Sequence, residues 1–213
     1  MTKVKICCIS SLEEAKIAIK QGANILGLVG SMPSGPGIIT DELIFEIAQS
    51  VPSTIETFLL TSETNAEKII VHHQKVKTTA IQMVDSIAID TYPLLRAALP
   101  GINLVQVIHV IDEKSVTEAV HIAQFVDYIL LDSGNPNLKI KELGGTGRTH
   151  NWTLSRKIRD AINIPLFLAG GLKAENVRQA IDAVQPYGVD LCSGVRTNNQ
   201  LDANKLKTFF RKV

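Results

Sequence analysis

The chain has 213 residues, 45% of them apolar and 20% charged, with a formal net charge of +1. That length can bury one sizeable core, and the near-neutral balance argues against nucleic acid or a membrane surface as partner. No apolar run approaches the ~20 residues of a transmembrane helix, and the N-terminus enters a strand pattern with no signal-peptide core, so a cytoplasmic protein is expected.

Along the chain, short β-branched runs alternate with segments of helical period. A strand is expected over residues 4–9, then a helix capped by Ser11 and stopped by Gly22. A second strand covers 25–29, and Thr40-Asp41-Glu42 opens a helix to about residue 50. Strands over 54–60, 79–84 and 103–110 are followed by helices over 65–74, 89–98 and 113–125. A sixth strand covers 127–131, and after a long loop a helix starts near Trp152. Strands over 165–169 and 188–192 are followed by helices over 174–184 and 202–212.

Alternating strands and helices imply parallel pairing, and eight such units are what a closed barrel needs. The expected fold class is therefore α/β, a (βα)8 TIM barrel, with residues 1–213 as one domain. The rival is an open doubly wound sheet.

In a (βα)8 barrel the active site lies at the C-terminal ends of the strands, and strand side chains alternate between two faces. Val4, Ile6 and Cys8 form an apolar set suited to the helix side, which leaves Lys5 and Cys7 inside the barrel. On the sixth strand Tyr128, Leu130 and Asp132 share the inner face. A thiol and a carboxyl in one mouth suit a general base and a general acid. The plainer readings are a small buried residue for Cys7 and a loop or capping aspartate for Asp132.

Three loops suit an anion. Gly144-Gly145-Thr146-Gly147-Arg148 follows the sixth strand, and its glycines let backbone N–H groups approach a ligand. Gly170-Gly171 follows the seventh, and Ser193-Gly194-Val195 the eighth, where barrels often hold phosphate. A small phosphorylated substrate is the expected partner. Cys7, Cys8 and Cys192 are the three cysteines. They fit neither a disulfide framework nor common zinc spacings, so a reducing compartment and no metal are expected. His72-His73 is expected to be a solvated helix end, Met83 to fill the barrel and Phe209-Phe210 to pack the last helix. Lys5 and Asp190, both inside on strands that adjoin on closure, are expected to pair, since burying either charge alone costs several kcal/mol.

Lys5-Ile6-Cys7, Leu130-Leu131-Asp132-Ser133, Gly144-Gly145-Thr146-Gly147-Arg148-Thr149 with Trp152, Leu168-Ala169-Gly170-Gly171-Leu172 and Ser193-Gly194-Val195 together resemble the phosphoribosylanthranilate isomerase family of tryptophan biosynthesis. The resemblance runs through nearly the whole chain. It implies an Amadori rearrangement of N-(5-phosphoribosyl)anthranilate, with Asp132 as acid and Cys7 as base, no cofactor, and a monomer or homodimer. Three departures stand out. Cys8 replaces a usual Gly. Gln82-Met83-Val84-Asp85 stands where the family reads Gln-Leu-His-Gly. The loop after the second strand, residues 31–38, lacks the Arg that the family uses for the anthranilate carboxylate. A divergent isomerase on another phosphosugar, or a barrel that only binds a phosphorylated metabolite, are the alternatives.

Overall fold

The computed structural model describes residues 2–33, 35–134 and 147–213. Eight parallel strands close into a barrel in chain order: β1 (Lys3–Ile6), β2 (Ile25–Val29), β3 (Glu56–Thr61), β4 (Ala80–Met83), β5 (Asn103–His109), β6 (Tyr128–Asp132), β7 (Leu166–Leu168) and β8 (Gly188–Leu191). Closure is made by β1 against β8, with Lys5 opposite Asp190. Helices α1 (Leu12–Gln21), α2 (Asp41–Ser50), α3 (Ala66–Val76), α4 (Thr91–Ala98), α5 (Lys114–Ile122), α6 (Trp152–Ala161), α7 (Val177–Val184) and α8 (Ala203–Phe210) follow the strands in turn. The expected (βα)8 architecture is therefore present.

Local chemistry sets the helix starts. The side chains of Ser11, Thr40, Asn65, Asn151 and Asp202 each accept a backbone N–H from the first turn of the helix that follows. Gly22 ends α1 in the left-handed region at φ 113°. Two apolar layers result. The outer one lies between strands and helices and includes Ile6, Leu28, Ile81, Leu131, Leu168 and Phe209. The inner one fills the barrel with Ile25, Phe58, Ala80, Val105, Leu130 and Phe167. Phe58, Tyr128 and Phe167 meet there through tilted and edge-on rings, and the exposed Tyr187 packs edge-on to Phe167 and stacks on Tyr128.

Three expectations are corrected. Met83 is buried among the helices rather than inside the barrel, because Gln82 and Val84 take the inward positions of that strand. His73 is buried, not solvated, and its Nε2 lies 2.8 Å from the Thr78 carbonyl; it bridges the end of α3 to the start of β4. Cys8 does not face the helices, since β1 ends at Ile6 and Cys8 has a left-handed φ of 62° that turns its side chain to the mouth. After β8 the chain forms a 3₁₀ turn (Ser193–Val195) and a small antiparallel hairpin, β9 (Arg196–Thr197) with β10 (Gln200–Leu201). Asn198 and Asn199, both with positive φ, make its turn.

Candidate active site

The C-terminal ends of the strands surround an open cavity of about 760 Å³, counted out to open solvent. Cys7 from the end of β1 and Asp132 from the end of β6 both line it, as do Lys5's partner Asp190 and the loop residues Gly147, Gly170, Gly171 and Ser193. Gly144, Gly145 and Thr146 lie outside the described residues. The Arg148 side chain is exposed and does not line the cavity, whereas its backbone packs on the β7 loop. Val195 is fully buried in the outer core, so its part in any site is confined to the backbone.

The loops after β6, β7 and β8 meet backbone to backbone. A Cβ placed on Gly171, whose φ is +60°, would stand 2.6 Å from the Arg148 carbonyl carbon and 2.8 Å from the Gly147 oxygen. A Cβ on Gly194 would stand 2.1 Å from the Leu172 oxygen. Only glycine permits these approaches. Asn176 braces the β7 loop from α7, accepting the Lys173 N–H at 2.8 Å and donating to the Gly171 carbonyl at 3.0 Å.

Burial raises the Asp132 pKa above the usual carboxylate range, and the nearby Asp190 adds to this. The Ser133 N–H at 2.7 Å, His109 and Lys5 oppose the rise without cancelling it. Such a carboxyl holds its proton to higher pH than an exposed one, as a general acid requires. Lys5 is fully buried, with Nζ 3.0 Å from Asp190 Oδ1, so the expected pair forms. The contact is an ion pair without a well-directed hydrogen bond on either atom. Burial alone lowers the Lys5 pKa, but Asp190 and the thiols of Cys7 and Cys8 more than reverse this, and the ammonium stays charged.

Several residues at this mouth escaped the sequence reading. His109 ends β5 directly opposite Asp132 in register, and its Nε2 lies 3.2 Å from the Val84 carbonyl. Its inward parity with Val105 and Val107 was the available signal. Arg196 opens β9 and reaches the segment that follows β1. It pairs with Glu14 through two contacts of 2.9 Å and donates to the Cys8 carbonyl. Glu14 also accepts the N–H groups of Ser10 and Leu201. This pair, nearly buried on both sides, clamps the backbone that carries Cys7. His150 lies between the β6 and β7 loops, with Nε2 2.8 Å from Ser155 Oγ. Burial pushes its pKa down to about 4, so it is neutral near pH 7. Around the opposite rim, from β2, the cavity is lined by Met32, Gly35 and Pro36, none of them a cation, and Val84 occupies the β4 position.

The arrangement defines a class: a (βα)8-barrel enzyme whose polar groups converge at one mouth of an otherwise apolar barrel. Residues 4–212 match the family described as N-(5'phosphoribosyl)anthranilate (PRA) isomerase, and the chain belongs to that family. It is 30% identical over 100% of its length to the N-(5'-phosphoribosyl)anthranilate isomerase of Methanocella arvoryzae, covering 98% of that protein. The crystal structure of phosphoribosyl anthranilate isomerase from Thermotoga maritima is similar at 31% identity and TM-score 0.85, with 100% of this chain and 98% of that one covered. A phosphoribosyl anthranilate isomerase in complex with reduced 1-(o-carboxyphenylamino)-1-deoxyribulose 5-phosphate is similar at 30% identity and TM-score 0.81, with the same coverage.

Proposed function

We propose that the protein, one barrel domain over residues 1–213, converts N-(5-phosphoribosyl)anthranilate to carboxyphenylamino-deoxyribulose phosphate. The observation that carries this is the convergence of Cys7, a pKa-raised Asp132 and the glycine-built β6, β7 and β8 loops on one cavity. In this reading the backbone N–H groups around Gly171 and Gly194 hold the phosphate, together with Gly144, Gly145, Thr146 and Gly147 of the β6 loop. Asp132 gives its proton to the ribose ring oxygen as the C1–O bond breaks and the Schiff base forms. Cys7, as thiolate, takes the proton from C2, and the resulting enolamine tautomerises to the aminoketose. The phosphorylated sugar and the cytoplasm are the expected substrate class and location; no helix among the described residues is long and apolar enough to cross a membrane.

The rim formed by Met32, Gly35 and Pro36 favours a second reading, a related aminoaldose phosphate without the carboxylate. A charge-assisted bond to that carboxylate contributes about 1.5–3 kcal/mol, or roughly ten- to a hundred-fold in kcat/KM. The expected activity on phosphoribosylanthranilate is therefore detectable but weak. Steady-state kinetics on the purified protein, with growth rescue of an isomerase-deficient tryptophan auxotroph, tests it. No turnover, with phosphosugar binding intact, would favour the second reading or a binding protein.

A further inference from the structure

Cys8 and Cys192 stand beside the proposed acid–base pair and have no task in the reaction above. Their sulfurs are 2.8 Å apart, joining the end of β1 to the residue after β8. Cys7 Sγ is further from Cys8, at 3.7 Å, and all three cysteines are unbridged. We propose that Cys8 and Cys192 form an oxidisable dithiol site at the barrel mouth, one that takes a hydroperoxide as its co-reactant and closes to a disulfide.

Geometry supports the pairing. A disulfide bond is about 2.05 Å long, so the two sulfurs need to close by less than 1 Å. The left-handed backbone at Cys8 aims its side chain at Cys192 instead of the helices. Arg196 holds the Cys8 carbonyl, and through Glu14 it ties α1 to the segment after β8, so both thiols ride on one braced unit. A link between the adjacent Cys7 and Cys8 would instead have to form across a single peptide bond, in strained geometry.

The two sulfurs have unequal environments, and this divides the labour. Cys192 is partly exposed and Cys8 is buried. The Cys8 S–H and the Arg196 guanidinium favour a thiolate at Cys192 and hold its pKa below the usual thiol range, against the effect of burial. The same contact with Cys192 pushes the Cys8 pKa up. The Cys192 thiolate attacks one peroxide oxygen, the O–O bond breaks, and Cys192 becomes a sulfenic acid as hydroxide leaves and is protonated to water. Cys8 then gives up its proton and attacks the Cys192 sulfur. The S–S bond forms, the S–O bond breaks, and a second water leaves. Two thiols are oxidised by two electrons, and one hydroperoxide is reduced. The link joins the residue after Cys7 to the residue before Ser193, spanning the proposed base and phosphate sides of the site.

The test is a titration of the reduced full-length protein with hydrogen peroxide, followed by intact mass, thiol counting under denaturing conditions and peptide mapping. The expected result is loss of two hydrogen masses, a fall from three free thiols to one, a mapped Cys8–Cys192 link with Cys7 free, and full reversal by dithiothreitol. Cys192→Ser should form no internal link. Cys8→Gly, which suits the positive φ, should accumulate a Cys192 sulfenic acid that dimedone traps. A link that includes Cys7, oxidation of Cys7 ahead of Cys192, or three thiols surviving peroxide that oxidises free cysteine would each overturn the proposal. These readouts are chemical, so they stand apart from whether phosphoribosylanthranilate is turned over.

Discussion

Asp132 is 9% exposed, and the cost of ionising it there has two measurable consequences. The first is catalytic. If Asp132 is the general acid, kcat/KM falls as pH rises through its raised native pKa. Asp132→Asn should remove that limb and lower turnover by about 10²–10⁴-fold, and Cys7→Ala should lower turnover comparably. His109 favours the ionised carboxylate, so His109→Leu should move the limb to higher pH, and a pH–rate profile of each variant checks this. The second consequence is stability. The native pKa lies above the unfolded value of about 3.9, so the native state binds this proton more tightly. Stability from this group is full below the unfolded value and is lost as pH rises through the native one. Asp132→Asn should therefore raise Tm at pH 7 and leave it nearly unchanged at pH 3. Calorimetry at both pH values decides it, and a lower Tm at pH 7 would mean that the ionised carboxylate is well satisfied by its neighbours.

Loops rather than strands set what this barrel recognises. Gly194→Ala drives a methyl against the Leu172 oxygen, and the clash must move one loop off the other. A loss of about 1–3 kcal/mol is expected, with inorganic phosphate binding weakened in step. Urea denaturation and phosphate titration by calorimetry measure the two effects, and an unchanged phosphate affinity would place the anion elsewhere. Across the mouth, the loop after β2 brings Gly35 and Pro36 to the cavity wall. Gly35 has φ +117° and tolerates a side chain poorly, so Pro36 is the better site for a cation. Pro36→Arg should raise kcat/KM on phosphoribosylanthranilate by roughly ten- to a hundred-fold, the worth of a charge-assisted bond. No gain, beside a wild type of full efficiency, would show that another group already holds the carboxylate.

The barrel as a whole depends on one closing seam, β1 against β8, and a buried ion pair spans it. Lys5 is fully buried and Asp190 nearly so. Lys5→Met leaves a carboxylate without its partner and should cost about 3–5 kcal/mol. Lys5→Met with Asp190→Leu removes both charges and should recover most of that loss, because the pair's attraction is largely offset by desolvation. Chemical denaturation of the two variants tests this. A double variant no more stable than Lys5→Met would mean that the pair contributes net stability to closure.

The sequence by itself determined the eight-unit order, the starts of α1 and α2 at Ser11 and Thr40, and the inward parity of Lys5, Cys7, Asp132 and Asp190. These follow from contacts within a few residues and from the two-residue alternation of a strand, both written locally in the chain. Parity misled where β1 ended early, and a residue with no parity assigned was misplaced on the fourth strand. Cys8 leaves β1 with a positive φ, and Met83 yields the interior to Gln82 and Val84. Tertiary structure alone decided that His109 would stand opposite Asp132, that Arg196 would clamp Glu14 across 182 positions of sequence, and that Cys8 would meet Cys192. No local pattern encodes such meetings, because strand pairing creates them: β5 beside β6 sets the first, and closure of β1 on β8 brings the two ends of the chain together for the other two.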